Sequence, residues 1–382
     1  MQSPDPGEAR FGPLARSFAS RHKACMTSAP HLDFTSDNAS GAHPAILQAI
    51  VAANTGPAAA YGADRWTLAA ERALSDIFER EVSVFLVATG TAANALALAA
   101  VTDPWGAILC HEFAHIAADE CGAPEFFSAG AKLVGLPGAA GKITPAALTD
   151  ALAIMPRGAV KQVQPQALSL SQATECGTLY TPAEIAALAE TAHAAGMAVH
   201  MDGARFANAL VAQGLTPAQM SWKAGVDVLS FGATKNGALA CEAVIFFHKA
   251  RAENFAYRRK RGGHTLSKGR LLGCQMEAYL EGGLWLQLAA EANARAAELE
   301  AGLGALPGVR LPWKREINEV FAILPKAMHD RMVAAGARYH PWTPRALEPA
   351  ARPGRDEVFA RLIPSFSTEP AAVAALVAAA RG

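Results

Sequence analysis

The stretch "TPAEIAALAETAHAAGMAVHMDGA", Thr181–Ala204, holds a helix and a strand in direct succession. Thr181 is placed as an N-cap, Pro182 at the first helical position, Glu184 three residues after the cap, and Gly196 as the stop. The next residues, "MAVHMDGA", read as extended chain. In such a run His200 and Asp202 point to one face, and Val199 and Met201 to the other. Working outward, the same materials recur. "VSVFLVATG", "AILCH", "AKLVGLP", "QALSLSQ", "DVLSFGAT" and "AVIFFH" read as strands. "HPAILQAIVAAN", "WTLAAERALSDIFE", "TAANALALAAV" and "TPAALTDALAIM" read as helices. This alternation predicts an α/β fold with a mostly parallel, helix-covered central sheet.

After Gly269 the character changes. A long helical region, interrupted at Gly282-Gly283, leads past Pro307 into short strands and helices. The expected organisation is an N-terminal extension over 1–30, a large α/β domain over 31–270, and a linking helix with a small C-terminal α+β domain over 271–382. The first 25 residues carry turn formers and scattered charge without an apolar run. They lack the apolar stretch of a secretory signal, and the expectation is a disordered extension.

The 382 residues are 51% apolar, enough for a sizeable core. Lys plus Arg and Asp plus Glu both total 34, so the formal net charge is zero. That balance argues against a nucleic-acid or anionic-membrane partner, each of which favours a basic excess. No apolar run reaches transmembrane length. The six cysteines form no C-x-x-C pair and show no metal-ligand spacing, so no metal site is expected. They read as reduced thiols of a cytoplasmic protein.

Three features carry chemistry. Lys235 ends "DVLSFGAT" and sits among small uncharged residues; an amine desolvated there becomes a usable nucleophile. Asp202 closes its strand beside Gly203, at the end of a parallel sheet where ligands bind. In "VSVFLVATGTAANALALAA", Gly90-Thr91 open a helix whose free amides suit a phosphate. Singly, each has an ordinary structural explanation: a loop lysine, a turn aspartate, a glycine between strand and helix. Together they are the three grips that pyridoxal 5′-phosphate requires.

Here the chain resembles the low-specificity L-threonine aldolases, fold-type-I enzymes of the β-eliminating lyase group. The resemblance rests on "TSDNASGAHPAILQAI", "AAAYGAD", "ATGTAANALAL", "HEFAHIAADECGAPEFF", "HMDGARFANAL", "SFGATKNG" and "ARLIPSFST", which follow one another in family order after Leu32. It implies that Lys235 bonds to the cofactor aldehyde and that Asp202 holds the pyridine nitrogen. It places Gly90, Thr91 and Asn94 at the phosphate end. His115 matches the histidine that stacks on the cofactor ring, and is the expected base. Ser36, Arg205 and Arg361 fall near the substrate carboxylate. Lys260, in "YRRKRGGHTLSKGR", falls where phosphate contacts arise, often from a neighbouring subunit. Some members carry a second histidine near the substrate hydroxyl; Gln172 is expected at that place, where it can hydrogen-bond but not take a proton. Glu120 is open to two readings, orienting a neighbour or serving as a structural carboxylate.

The resemblance implies cleavage of L-threonine, L-allo-threonine and related β-hydroxy-α-amino acids to glycine and an aldehyde, in a homotetramer with sites at subunit interfaces. Lys235 and Asp202 are equally compatible with β-elimination or transamination, and with a non-catalytic cofactor carrier or regulator.

Overall fold

The computed structural model describes residues 30–382; the extension expected over 1–30 lies, Pro30 apart, outside the described residues. Within Leu32–Gly382 the expected sheet is present. Its strands are β1 (Ser83–Val87), β2 (Gly106–His111), β3 (Lys132–Leu136), β4 (Gln164–Ser171), β5 (Ala198–Gly203), β6 (Val228–Gly232) and β7 (Glu242–Phe246). They lie side by side in the order β1-β7-β6-β5-β4-β2-β3. Among the described strands of this sheet, β7 alone runs against its neighbours. A second, antiparallel sheet holds β8 (Val320–Pro325), β9 (His340–Pro341) and β10 (Glu357–Leu362), with β10 in the middle.

The Pro182–Ala194 helix starts as its sequence requires. Glu184 N–H donates to Thr181 Oγ1 at 3.2 Å, and Thr181 N–H to Glu184 Oε2 at 2.7 Å. Gly196 then turns the chain with φ +67°, which glycine adopts without strain, and β5 comes next. The pairing sets Ser171 beside Asp202, and Asp202 beside Ser230. Three strand ends are thus level at one edge of the sheet. One row back, buried His200 spans β4 to β6, with Nδ1 on Ser169 Oγ at 2.9 Å and Nε2 on Ser230 Oγ at 3.0 Å. Burial pushes this imidazole down to about 4, so it is neutral.

The other face of β5 supplies Val199 and Met201 to the main core. Under β6 the buried Phe231 ring meets Phe78, Phe206, Tyr279 and Trp285, with centroids 5.5–6.3 Å away. A ring of this size, fully buried, contributes about 1.5–3 kcal/mol. The Arg270–Leu280 helix and the start of the Leu284–Gly304 helix belong to this core through Leu272, Met276, Trp285 and Ala289. Further along the same helix, Ala296, Leu299 and Leu303 join a second core with β8 and β10. Gly282 and Gly283, at φ +60° and +72°, make the break read from the sequence.

Candidate active site

A cavity of about 270 Å³ opens at the level strand ends. Lys235 reaches it from a single helical turn, Thr234–Asn236, directly after β6. This turn is held from both sides. Ala233 N–H donates to Glu242 Oε2 at 2.8 Å. Asn236 Nδ2 donates to Tyr279 Oη and to the Trp285 carbonyl, both at 2.7 Å. Gly237 closes the turn at φ +116°, where a Cβ would lie 2.7 Å from Leu288. Burial pushes the Glu242 carboxyl up to about 7, against the opposing charge of Lys235.

Asp202 also lines the cavity. Its Oδ1 accepts from Ala204 N–H at 3.0 Å, and its Oδ2 from Asn94 Nδ2 at 2.8 Å. The same Asn94 nitrogen donates to Glu120 Oε1 at 2.8 Å, and that oxygen pairs with His115 Nδ1, also at 2.8 Å. Glu120 therefore orients His115, which decides between its two readings. The bond to Glu120 raises the His115 imidazole above its ordinary range, with Glu175 and Asp202 adding to the effect. Burial raises Glu120 itself.

The third corner is uncharged. Thr89 caps the Gly90–Ala100 helix by accepting from Ala92 N–H at 3.2 Å. Thr89, Gly90, Thr91 and Thr234 all line the cavity, and a Cβ on Gly90 would meet nothing within 4 Å. Free helix amides and three hydroxyls suit a phosphate. Pyridoxal phosphate fits this donor set: Lys235 for its aldehyde, an ordered carboxylate for its ring nitrogen, and the helix end for its phosphate. Asn94 Oδ1 and Glu120 Oε2 are buried here without protein partners, as polar atoms facing a ligand would be.

The opposite side is dense in charge. Arg205 grips Asp37 through Nε at 2.8 Å and Nη2 at 3.1 Å, and its Nη1 lies 3.4 Å from Glu319. Burial opposes the charge of Asp37, but Arg205 and Lys235 hold the carboxyl low. Arg361 lies over Trp342 at 3.8 Å, and its buried Nε has no protein partner.

Lys235, His115, Asp202, Gly90, Thr91, Asn94 and Arg205 thus share one cavity. Arg361 stands outside its lining, near Glu319. Two expectations are corrected, at Ser36 and Gln172. Ser36 is not on the wall; its Oγ accepts from Asn38 N–H at 3.1 Å, and Asn38 reaches the cavity instead. Gln172 is fully buried, with Oε1 and Nε2 both on the Tyr180 backbone at 3.0 and 2.9 Å, so it is occupied in holding the chain. Lys260 is exposed, with Nζ 5.4 Å from the Tyr61 ring centre, and does not line this cavity. Sequence reasoning missed Thr89, Glu175 and Glu242. The cap preference of threonine before Gly90 was the available signal for the first.

A family model for the β-eliminating lyases matches residues 33–327. The chain belongs to that family. Among its relatives, this lyase is 44% identical to the low specificity L-threonine aldolase of Pseudomonas aeruginosa over 308 residues, 80% of this chain and 88% of the relative. It is 41% identical to the low specificity L-threonine aldolase of a Pseudomonas species, over 80% of this chain and 88% of that one. A solved threonine aldolase of Leishmania major superposes with TM-score 0.84 at 30% identity, covering 92% of this chain and 98% of that one. The serine palmitoyltransferase of Sphingomonas wittichii shares the fold, with TM-score 0.67 at 14% identity over 98% and 96%.

Proposed function

We propose that this lyase cleaves L-threonine, L-allo-threonine and related β-hydroxy-α-amino acids to glycine and an aldehyde, acetaldehyde from threonine, using pyridoxal 5′-phosphate. The observation that carries the reading is the meeting of Lys235, Asp202 and the Gly90 helix end in one cavity, in a chain whose relatives are named L-threonine aldolases. When bound, the cofactor supplies an aldehyde for an amine and a ring that accepts electrons from a bond at the substrate Cα. Lys235 is the amine that would hold the cofactor's aldehyde. Asp202, fixed by Asn94 and Ala204, keeps the ring nitrogen protonated. Thr89, Gly90 and Thr91 take the phosphate. His115, fixed by Glu120, would face the ring from the cavity wall. Arg205 of the lining, with Arg361 outside it, would hold the substrate carboxylate and so orient the bonds at the substrate Cα.

The active form is a homotetramer with sites at subunit interfaces, where Lys260 supplies positive charge to the uncharged phosphate corner of a neighbour. The exposed Tyr61, Leu239 and Tyr257 support this, being 57, 56 and 73% accessible in the single chain. A cytoplasmic location rests on free Cys110, Cys121, Cys176, Cys241 and Cys274. No helix among the described residues is long and apolar enough to cross a membrane.

Incubating the holoenzyme with L-threonine tests the reaction. Acetaldehyde and glycine in equal amounts are expected. Ammonia with 2-oxobutyrate would mean β-elimination, amino transfer to an added keto acid would mean transamination, and no turnover by cofactor-loaded protein would leave a carrier.

A further inference from the structure

Four carboxylates line the cavity: Glu120, Glu175, Asp202 and Glu242. Three have protein partners already described. Glu120 pairs with His115 and Asn94, Asp202 with Asn94 and Ala204, and Glu242 with the turn that carries Lys235. Glu175 has no side-chain hydrogen bond or ion pair among the described residues, and it is half-buried rather than turned to solvent. Its charge acts on His115, Arg205 and Arg361, so it stands between the histidine side and the arginine side.

The placement is built. Glu175 sits at the apex of the loop between β4 and Thr181. Gln172 clamps the loop through both bonds to Tyr180. A second clamp sets Thr174 Oγ1 2.8 Å from Thr178 Oγ1, with the Ala140 carbonyl 3.1 and 2.7 Å from the two, so that one hydroxyl donates to the carbonyl and the other to its neighbour hydroxyl or to the same carbonyl. Gly177, at φ +69°, lets the loop pass Glu319, whose Cβ would lie 3.1 Å from a Cβ at that position. So many fixings behind one unpaired carboxylate in a cavity indicate a group held ready for a ligand.

We propose that Glu175 is a catalytic residue, receiving the hydrogen bond and then the proton of the substrate's β-hydroxyl. The proposal rests on the aldolase reading. In the step, the hydroxyl O–H bond breaks and its proton passes to a Glu175 oxygen. The freed pair forms the aldehyde C=O, the Cα–Cβ bond breaks, and its pair stays with Cα. Cα then takes a proton from water, glycine leaves, and Glu175 returns its proton to the hydroxide that remains. His115 is less suited to this transfer. Its Nδ1 is taken by Glu120, and the carboxylates around it, Glu120, Glu175 and Asp202, favour the imidazolium, which has no lone pair to offer.

Glu175→Gln in the holoenzyme is the test, because glutamine keeps the size and the hydrogen bond but accepts no proton. Threonine cleavage should fall on the order of 10²–10⁴-fold. Exchange of the glycine α-proton in D₂O, monitored by NMR, needs no β-hydroxyl and should stay near the wild-type rate. Glu175→Asp, which keeps a carboxylate, should recover part of the cleavage. In the cofactor-free protein, Glu175→Gln should lower the His115 midpoint, since one negative neighbour is gone. Near-normal cleavage by Glu175→Gln overturns the proposal, and so does an equal loss of cleavage and exchange, which would mark a structural role. If the cofactor-loaded wild type exchanges the glycine proton but cleaves no threonine, the aldolase reading fails and takes this proposal with it.

Discussion

Two short segments, at the ends of the two strands that flank β5, bring charged groups to the cavity: the turn after β6, with Lys235, and the loop after β4, with Glu175. Both are clamped by side chains reaching backbone groups. At the turn, Glu242 and Asn236 do this; at the loop, Gln172 and Thr174 do. The two differ in how their sequences read. In "SFGATKNG" one charged residue stands among small ones, so only Lys235 offers chemistry. In "LSLSQATECG" several polar residues compete, and the residue types alone do not rank Gln172 against Glu175. The lesson is that a lone functional group is legible, whereas a choice among neighbours depends on which of them the fold employs as clamps.

The comparison breaks most decisively at Lys235. Lys235→Ala should abolish cleavage and leave the protein unable to hold the cofactor covalently. Borohydride treatment and mass spectrometry should find the reduced pyridoxyl group on Lys235 in the wild type and nowhere in the variant. Finding it on another lysine would move the covalent site away from this turn.

At the loop, Gln172→Leu removes the clamp without touching the cavity. It leaves the buried Tyr180 N–H without its partner, at a cost of about 1–3 kcal/mol. Thermal and denaturant unfolding should show that loss, and threonine cleavage should fall with little change in cofactor binding. A Gln172→Leu protein with wild-type stability and altered substrate contacts would return Gln172 to the site.

A smaller effect is expected at His115. With Glu175 as the proton acceptor, His115→Phe should keep cleavage within about tenfold, roughly 1.4 kcal/mol of barrier. The imidazole midpoint in the wild type should lie above the ordinary histidine value, because Glu120 accepts its Nδ1–H. Glu120→Gln should lower it, measured by NMR titration of the cofactor-free protein. Because the folded value is raised, the stability this pair contributes is present below the unfolded-state histidine pKa and fades as pH rises through the higher folded value. A midpoint that ignores Glu120→Gln would dissociate the two residues.

The smallest effect should come from removing residues 1–25. Each recognised motif lies after Leu32, and the family match starts at residue 33. Activity of a chain starting at Met26 should equal that of the full chain; an insoluble or inactive product would give the segment a structural role.

Read alone, the sequence determined the elements and their order. Caps, glycine stops and period are properties of a few adjacent residues, so Thr181, Pro182, Glu184 and Gly196 announce their helix and β5 without reference to the rest of the chain. Lys235, Asp202 and Gly90 were legible for a related reason: each sits at the end of such an element, where parallel sheets bind ligands. Tertiary structure decided the partners. Arg205 meets Asp37 across 168 residues, and Asn94 meets Asp202 across 108. Neither pairing leaves a local signature, because a buried charge or amide is satisfied by whatever the folded chain brings within about 3 Å. The same rule turned Gln172 inward to Tyr180 and left Glu175 facing the cavity.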